Sequence, residues 1–111
     1  MRINKFVLDN NIWVSYFIRA NEQSLIDIIN QNDLTVFCCD ELLVEVERVL
    51  NYPHIKKYKV SIPYALKTVK TITTHYLLTY PIKRYIPADE NDDYLIALAL
   101  QTSSGFITVT S

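Results

Sequence analysis

Apolar residues along this chain occur in short blocks whose spacing alternates between that of strands and that of helices. Short apolar runs bounded by polar residues are typical of buried strands. They predict strands at Ile3–Leu8, Leu34–Cys38 and Gly105–Thr110, and a weaker, edge-like strand at Pro81–Ile86. Apolar residues at helical spacing predict helices over Asn11–Ile18, Glu22–Asn30, Asp40–Leu50, Ser61–Leu78 and Asn91–Gln101. Because strands that alternate with helices form parallel sheets with right-handed crossovers, we expect an α/β fold with three α/β/α layers around a central parallel sheet.

The composition is that of one globular domain spanning residues 1–111. Half of the residues are apolar and the formal net charge is −1, so the overall charge argues neither for nor against nucleic acid as a partner. No signal peptide is visible, and no stretch reaches the ~20 apolar residues that a membrane span needs. The adjacent Cys38 and Cys39 fit no zinc-site spacing and would form a disulfide only with strain, which predicts reduced thiols in a cytoplasmic protein.

The most informative polar residues are carboxylates at the ends of the predicted elements. Asp9 directly follows the first strand, and Glu45 lies at the flank of the apolar stripe on the helix after the second strand. The segment ADENDD opens the buried helix near the C-terminus and contributes Asp89, Glu90, Asp92 and Asp93. In a parallel sheet these elements converge beyond the carboxyl ends of the strands, so the sequence predicts an acidic cluster there.

Carboxylates gathered at one place repel one another, and a divalent cation removes that penalty. Oxygen ligands suit Mg²⁺ or Mn²⁺, and such an ion lowers the pKa of a bound water and stabilises charge on a phosphoryl group. The residue types therefore indicate metal-assisted hydrolysis of a phosphodiester. Each acid also has an ordinary interpretation: Asp9 as a helix cap, Glu45 as a solvated helix residue, and ADENDD as the acidic first turn of a helix.

Three segments together resemble the PIN-domain family. "FVLDNNIWVS" is similar to the opening of PIN domains, with an Asp at the end of the first strand, an Asn two residues on and a Ser four further. "ELLVEVERVL" resembles the helix that carries their second acid, and "DENDDYLIALAL" resembles the segment of their third. The branch most similar to this chain is that of toxin components of bacterial toxin–antitoxin systems. The resemblance implies a Mg²⁺- or Mn²⁺-dependent endoribonuclease that hydrolyses RNA and is inhibited by a cognate antitoxin.

Carried over to the matching positions, the resemblance implies that Asp9, Glu45 and Asp92 are the catalytic and metal-binding residues. Asp93 or Asp89 is an alternative third ligand, because a shift of the alignment would exchange these acids.

Two further positions receive supporting roles from the same resemblance. Asn11 would orient Asp9 or contact the substrate side of the site, and Ser15 would support the packing or hydrogen bonding of the first helix. By analogy with PIN-family dimers, a homodimer is also expected.

The resemblance is incomplete at the C-terminus. PIN domains usually continue after a strand like "FITVTS" with another Asp, a helix and a strand, whereas this chain stops at Ser111. The expectation is therefore a C-terminally truncated PIN-like domain whose last strand is missing and whose Gly105–Thr110 edge is prone to self-pairing. Such a chain would be a weak or inactive nuclease, and the alternative hypothesis is a catalytically impaired PIN domain that binds RNA or an antitoxin.

Contact with RNA requires local positive charge, and the segment "HIKKYK" provides it. Lys56, Lys57 and Lys59 flank Tyr58, so that cations for phosphates alternate with an aromatic ring for stacking. The ordinary interpretation is a solvated basic loop. His54 and His75 have no partner at metal-site or triad spacing and are expected to be surface or half-buried side chains.

Overall fold

The computed structural model describes residues 4–79 and 93–107. Within them the strands are β1 (Lys5–Leu8), β2 (Thr35–Cys38), β3 (Thr74–His75) and β4 (Gly105–Ile107). The helices are α1 (Asn10–Ile18), α2 (Glu22–Gln31), α3 (Asp40–Leu50), α4 (Pro53–Lys56), α5 (Ile62–Ile72) and α6 (Asp93–Thr102). These helices are short, and among the described residues none offers the unbroken apolar stretch that crossing a bilayer requires.

The strands form one parallel sheet in the order β3-β2-β1-β4. Leu8 of β1 is in register with Ile107 of β4, and Cys38 of β2 is in register with His75 of β3. The carboxyl ends of all four strands therefore lie along one edge of the sheet, which we call the carboxyl edge. Because helices flank this sheet, the α/β class with a central parallel sheet is confirmed.

The core lies where the helices close on β1 and β2. Helix α6 contacts β1, β2 and β4, and its Leu95 and Leu98 are completely buried. This confirms that α6 is largely buried, as its nearly continuous apolar sequence predicts. Leu100 is the exception, at 47% exposed, because it lies on the side of α6 that faces away from the sheet.

The helix predicted over Ser61–Leu78 is wrong in its last third. Helix α5 ends at Ile72, and Thr73 adopts an extended conformation with φ −114° and ψ 161°. Thr74 and His75 then pair with β2 as β3. The β-branched run from residue 71 to 74 favours this ending, because such residues prefer a pleated strand. The Thr73 hydroxyl donates to the Val69 carbonyl at 2.6 Å.

Two other differences concern segments around the basic loop and the later strand. The short helix α4 was not predicted, although Pro53 is well placed in a first helical turn. The strand predicted at Pro81–Ile86 lies outside the described residues. Within the described residues the remaining elements agree with prediction to within about two residues, and α3 has the predicted bounds. Residues 91–92 and 108–110 of the predicted last helix and last strand lie outside the described residues.

The two cysteines are thiols enclosed at the end of β2. Both are completely buried and unpaired, and burial raises the pKa of Cys38 to about 11 and that of Cys39 to about 12. The prediction of reduced cysteines is consistent with this environment, in which the thiols stay protonated and unreactive at neutral pH.

A pH dependence of stability follows from these buried thiols. In the unfolded chain they ionise near their ordinary pKa of 9.0, whereas in the folded protein they keep their protons to higher pH. Since only the unfolded state then gains charge, the free energy of unfolding should fall as the pH rises from about 9 to 11. Urea unfolding at a series of pH values measures this. A Cys39→Ala variant should show a shallower fall than the wild type, and equal slopes would contradict the prediction.

Candidate active site at the carboxyl edge

Asp9 lies immediately beyond β1, in the middle of the carboxyl edge. Its backbone N–H donates to the Ile107 carbonyl at 3.1 Å, which ties it to the end of β4. Its side chain is the N-cap of α1, where Oδ1 accepts from the Ile12 N–H at 3.0 Å, and the residue is only 1% exposed. The capping interpretation of Asp9 is therefore correct. Capping engages one carboxylate oxygen and is compatible with a second role for the residue.

Asn10 links this position to the second predicted acid. The Asn10 side chain is buried, and its Nδ2 lies 3.5 Å from Oε1 of Glu45, at the long limit of a hydrogen bond. The contact joins α1 to α3 across 35 residues of sequence. The Glu45 side chain is only 13% exposed, so it faces the residue next to Asp9 and is not directed into solvent.

Arg48 is the second partner of Glu45. Its guanidinium donates to Oε2 of Glu45 from one turn further along α3, and this pairing raises the pKa of Arg48 above its ordinary value. In this structure both oxygens of Glu45 thus accept from protein donors, one from an amide and one from a cation. Neither Asn10 nor Arg48 was predicted, although the i, i+3 spacing of Glu45 and Arg48 is a recognisable signal for an ion pair.

Of the candidates for the third acid, Asp93 alone lies within the described residues. Asp92 and Asp89 lie outside the described residues, and so do the remaining members of ADENDD before Asp93. Asp93 is in the first turn of α6 and is 5% exposed. Because α6 packs on β1, this buried carboxylate belongs to an element that adjoins the strand carrying Asp9.

The two supporting residues occupy different environments. Asn11 is exposed, and the amide that reaches Glu45 is that of Asn10. Ser15 is half-buried and lines a largely apolar cavity of about 460 Å³ between α1 and α2, together with Ile12 and Tyr16. This position suits a role in packing α1.

A second polar pair was missed on the same edge of the sheet. His75, at the end of β3, places Nε2 2.9 Å from Oδ1 of Asp40, the first residue of α3. His75 is exposed, as expected. The sequence did not predict its partner, because only the pairing of β3 with β2 brings together residues 35 positions apart. His54 is exposed as expected, and its ring stacks on that of Tyr52 with centroids 5.8 Å apart.

The lysines of the basic segment are exposed on and after α4. This holds for Lys56, Lys57 and Lys59 alike, and Nζ of Lys57 lies 5.2 Å from the centre of the Tyr58 ring. All three lysines are thus accessible to an anionic partner.

The chemistry of the carboxylates suits a hard divalent cation, since Asp9, Glu45 and Asp93 offer oxygen ligands alone. Among residues 4–79 and 93–107, however, no three His, Cys, Asp or Glu side chains are arranged to hold an ion. The carboxylates are therefore the right type of ligand for such an ion. A complete set of ligands would need residues outside those ranges or a rearrangement of Glu45.

Comparison with known proteins agrees with this architecture. A family model described as "PIN domain" matches residues 5–110, nearly the whole chain. No curated protein and no solved structure matches it. PIN domains are a family of nuclease type whose members generally use divalent metal ions and whose substrate is typically RNA. With a parallel sheet, an Asp at the end of the central strand β1 and a Glu in contact with the residue after that Asp, this chain belongs to the PIN-domain family.

Proposed function

We propose that this protein is a metal-dependent endoribonuclease that hydrolyses RNA phosphodiesters, with Mg²⁺ or Mn²⁺ as cofactor. The observation that supports it best is the contact of Glu45, the proposed second acid, with Asn10, the residue that follows Asp9 at the carboxyl edge. Asp9 and Glu45 are proposed as ligands, with Asp92, or alternatively Asp93 or Asp89, as the third. When bound, the ion would activate a water for attack and stabilise charge on the phosphoryl group.

The chain's own residues prepare this site in three ways. The Ile12 N–H donates to the Asp9 carboxylate and so holds it as the cap of α1. Asn10 holds Glu45 toward Asp9, and the packing of α1 on α3 keeps both side chains out of solvent. Arg48 balances the charge of Glu45 and would compete with a metal ion for Oε2 of that carboxylate.

The biological role proposed for this nuclease is that of a toxin in a toxin–antitoxin system, acting on RNA in the cytoplasm and held inactive by a cognate antitoxin. The support is the resemblance of the three acid-bearing segments, to which the match of the family model adds the PIN domain itself. A homodimer is proposed on the same analogy.

A second candidate function is a PIN domain with impaired catalysis that binds RNA or an antitoxin. The observation that favours it is the engagement of both Glu45 oxygens by Asn10 and Arg48, since an arginine can replace a metal ion as the counter-charge of a carboxylate.

Cleavage of single-stranded RNA separates the two candidates. We expect the purified protein to cut a labelled single-stranded RNA with Mn²⁺ or Mg²⁺ and to lose all cleavage when a chelator is added, because the activated water requires the ion. Gel analysis of product formation measures this. Binding of the RNA with no metal-dependent cleavage would favour the second candidate, and cleavage that survives chelation would contradict the proposed mechanism.

A further inference from the structure

One flank of α3 and the residues just after it carry Glu45, Arg48 and Tyr52 in a row at i, i+3 and i+7. Helical hydrogen bonding continues past the end of α3, since the Asn51 N–H donates to the Glu47 carbonyl at 3.2 Å and that of Tyr52 to Val49 at 3.1 Å. Side chains at this spacing share one face of a helix. At 1.5 Å per residue, Tyr52 lies about 10 Å from Glu45 along the helix axis, a distance comparable to one or two nucleotides of an extended strand.

A surface groove of about 450 Å³ lies at the Arg48 and Tyr52 end of this row. It is lined by Val44, Glu47, Arg48, Asn51 and Tyr52. Val44 is 65% exposed and Tyr52 is 39% exposed, so an apolar surface and an aromatic ring are open to solvent beside a cation. We call this feature the α3 groove.

At the aromatic end of the α3 groove, the Tyr52 ring stacks on that of His54. The Tyr52 and His54 rings lie 5.8 Å apart with an angle of 29° between their planes. The pair resembles a short stacking platform, onto which a planar base can add because every base has a π-face. The chain then continues directly into the exposed Lys56 and Lys57.

The charged end of the α3 groove is Arg48. Its side chain is 52% exposed, and one of its five N–H donors is engaged by Glu45. Glu47 lines the groove beside it, so a phosphate inside the groove would meet a carboxylate. A base is therefore the better occupant of the groove itself, with the phosphate at the guanidinium on its rim.

We propose that the α3 groove binds one nucleotide of a single-stranded RNA next to the cleavage position, with its base on Tyr52 and its phosphate on Arg48. This inference rests on the proposed ribonuclease function and deepens it, because it assigns a substrate-binding site and excludes paired RNA. The bases of a duplex are stacked and paired with each other and are not available to a side-chain ring.

Binding in a chelator tests the groove without cleavage. A fluorescent single-stranded RNA of mixed sequence is titrated with the wild type, Tyr52→Leu, Tyr52→Phe, Arg48→Gln and, as a control cation remote from Glu45, Arg19→Gln. Tyr52→Leu should raise the Kd about 5- to 50-fold through loss of one stacked base. Tyr52→Phe keeps the ring and should bind like the wild type, as should Arg19→Gln.

The salt dependence distinguishes the two ends of the groove. Loss of one phosphate contact in Arg48→Gln should reduce the slope of log K against log salt by about 0.7, whereas Tyr52→Leu should weaken binding with the slope unchanged. A blunt-ended duplex of the same sequence should bind more weakly than the single strand in every folded variant. Circular dichroism confirms the fold of each variant, and Tyr52→Phe keeps the comparison informative if Tyr52→Leu is unstable.

The outcomes separate this inference from the proposed function. If the wild type binds and cleaves RNA but Tyr52→Leu and Arg48→Gln bind as it does, the α3 groove is not the nucleotide site and the nuclease proposal stands. Binding of duplex as tight as that of single strand would equally overturn the groove. If the wild type neither binds nor cleaves single-stranded RNA, both proposals are wrong.

Discussion

Replacing Asp9 with asparagine is expected to reduce metal-dependent RNA cleavage by at least about a hundredfold while leaving the protein folded. Metal ions supply several kcal/mol of transition-state stabilisation, and the neutral amide loses the charge that binds one. Asparagine caps helices as well as aspartate does, so the hydrogen bond from the Ile12 N–H to residue 9 can persist. The rate of RNA cleavage at saturating Mn²⁺ and the thermal unfolding midpoint are the two measurements.

Asp33→Asn provides a matched control for this experiment. Asp33 is exposed between α2 and β2 and has a φ of 54°, a conformation that asparagine tolerates. The control carries the same chemical change away from the carboxyl edge and should cleave RNA at the wild-type rate. If Asp9→Asn is as active as Asp33→Asn, then Asp9 is a helix cap alone and the proposed site is wrong.

The largest effect on stability is expected from Leu98→Ala, which should lower the free energy of unfolding by about 2–5 kcal/mol. Leu98 is completely buried on α6, the helix that packs on β1, β2 and β4. Truncation removes apolar contacts and leaves a cavity that the sheet cannot readily fill. Urea unfolding followed by circular dichroism measures the loss.

Leu100→Ala is the matched comparison on the same helix. Leu100 is 47% exposed, so the same truncation there should change the free energy of unfolding by no more than about 0.5 kcal/mol. Since alanine also favours the helix, the two variants differ mainly in burial. A loss in Leu98→Ala no greater than that in Leu100→Ala would show that α6 does not pack on the sheet in this way.

Local patterns predicted most of the fold because they follow directly from the geometry of each element. The apolar stripe of α3 specified both its ends, and the short runs around Val7 and Val36 specified two central strands. The failure was β3, whose residues Thr74 and His75 continue a helical pattern and become a strand only by pairing with Phe37 and Cys38. That pairing is a long-range contact, and no local pattern contains it.

The candidate site likewise combines a position that the sequence predicted with contacts that only the fold creates. Asp9 was predictable, because an acid after a buried strand of a parallel sheet has few possible positions. The sequence did not predict that Asn10 and Arg48 both donate to Glu45. Asn10 and Glu45 are brought together only when α1 packs on α3. The assignment of Asp92 remains a prediction, and Asp93 is the buried acid of that segment among the described residues.

The sequence by itself determined the α/β class and the order of most elements, because periodicity and residue type act over a few neighbouring positions. That the acids act together in one functional motif stays a prediction. The tertiary structure decided which polar groups meet. It placed Asn10 against Glu45 and His75 against Asp40. These pairings depend on how helices pack across a twisted sheet, and that packing is set by the whole core rather than by the residues that meet.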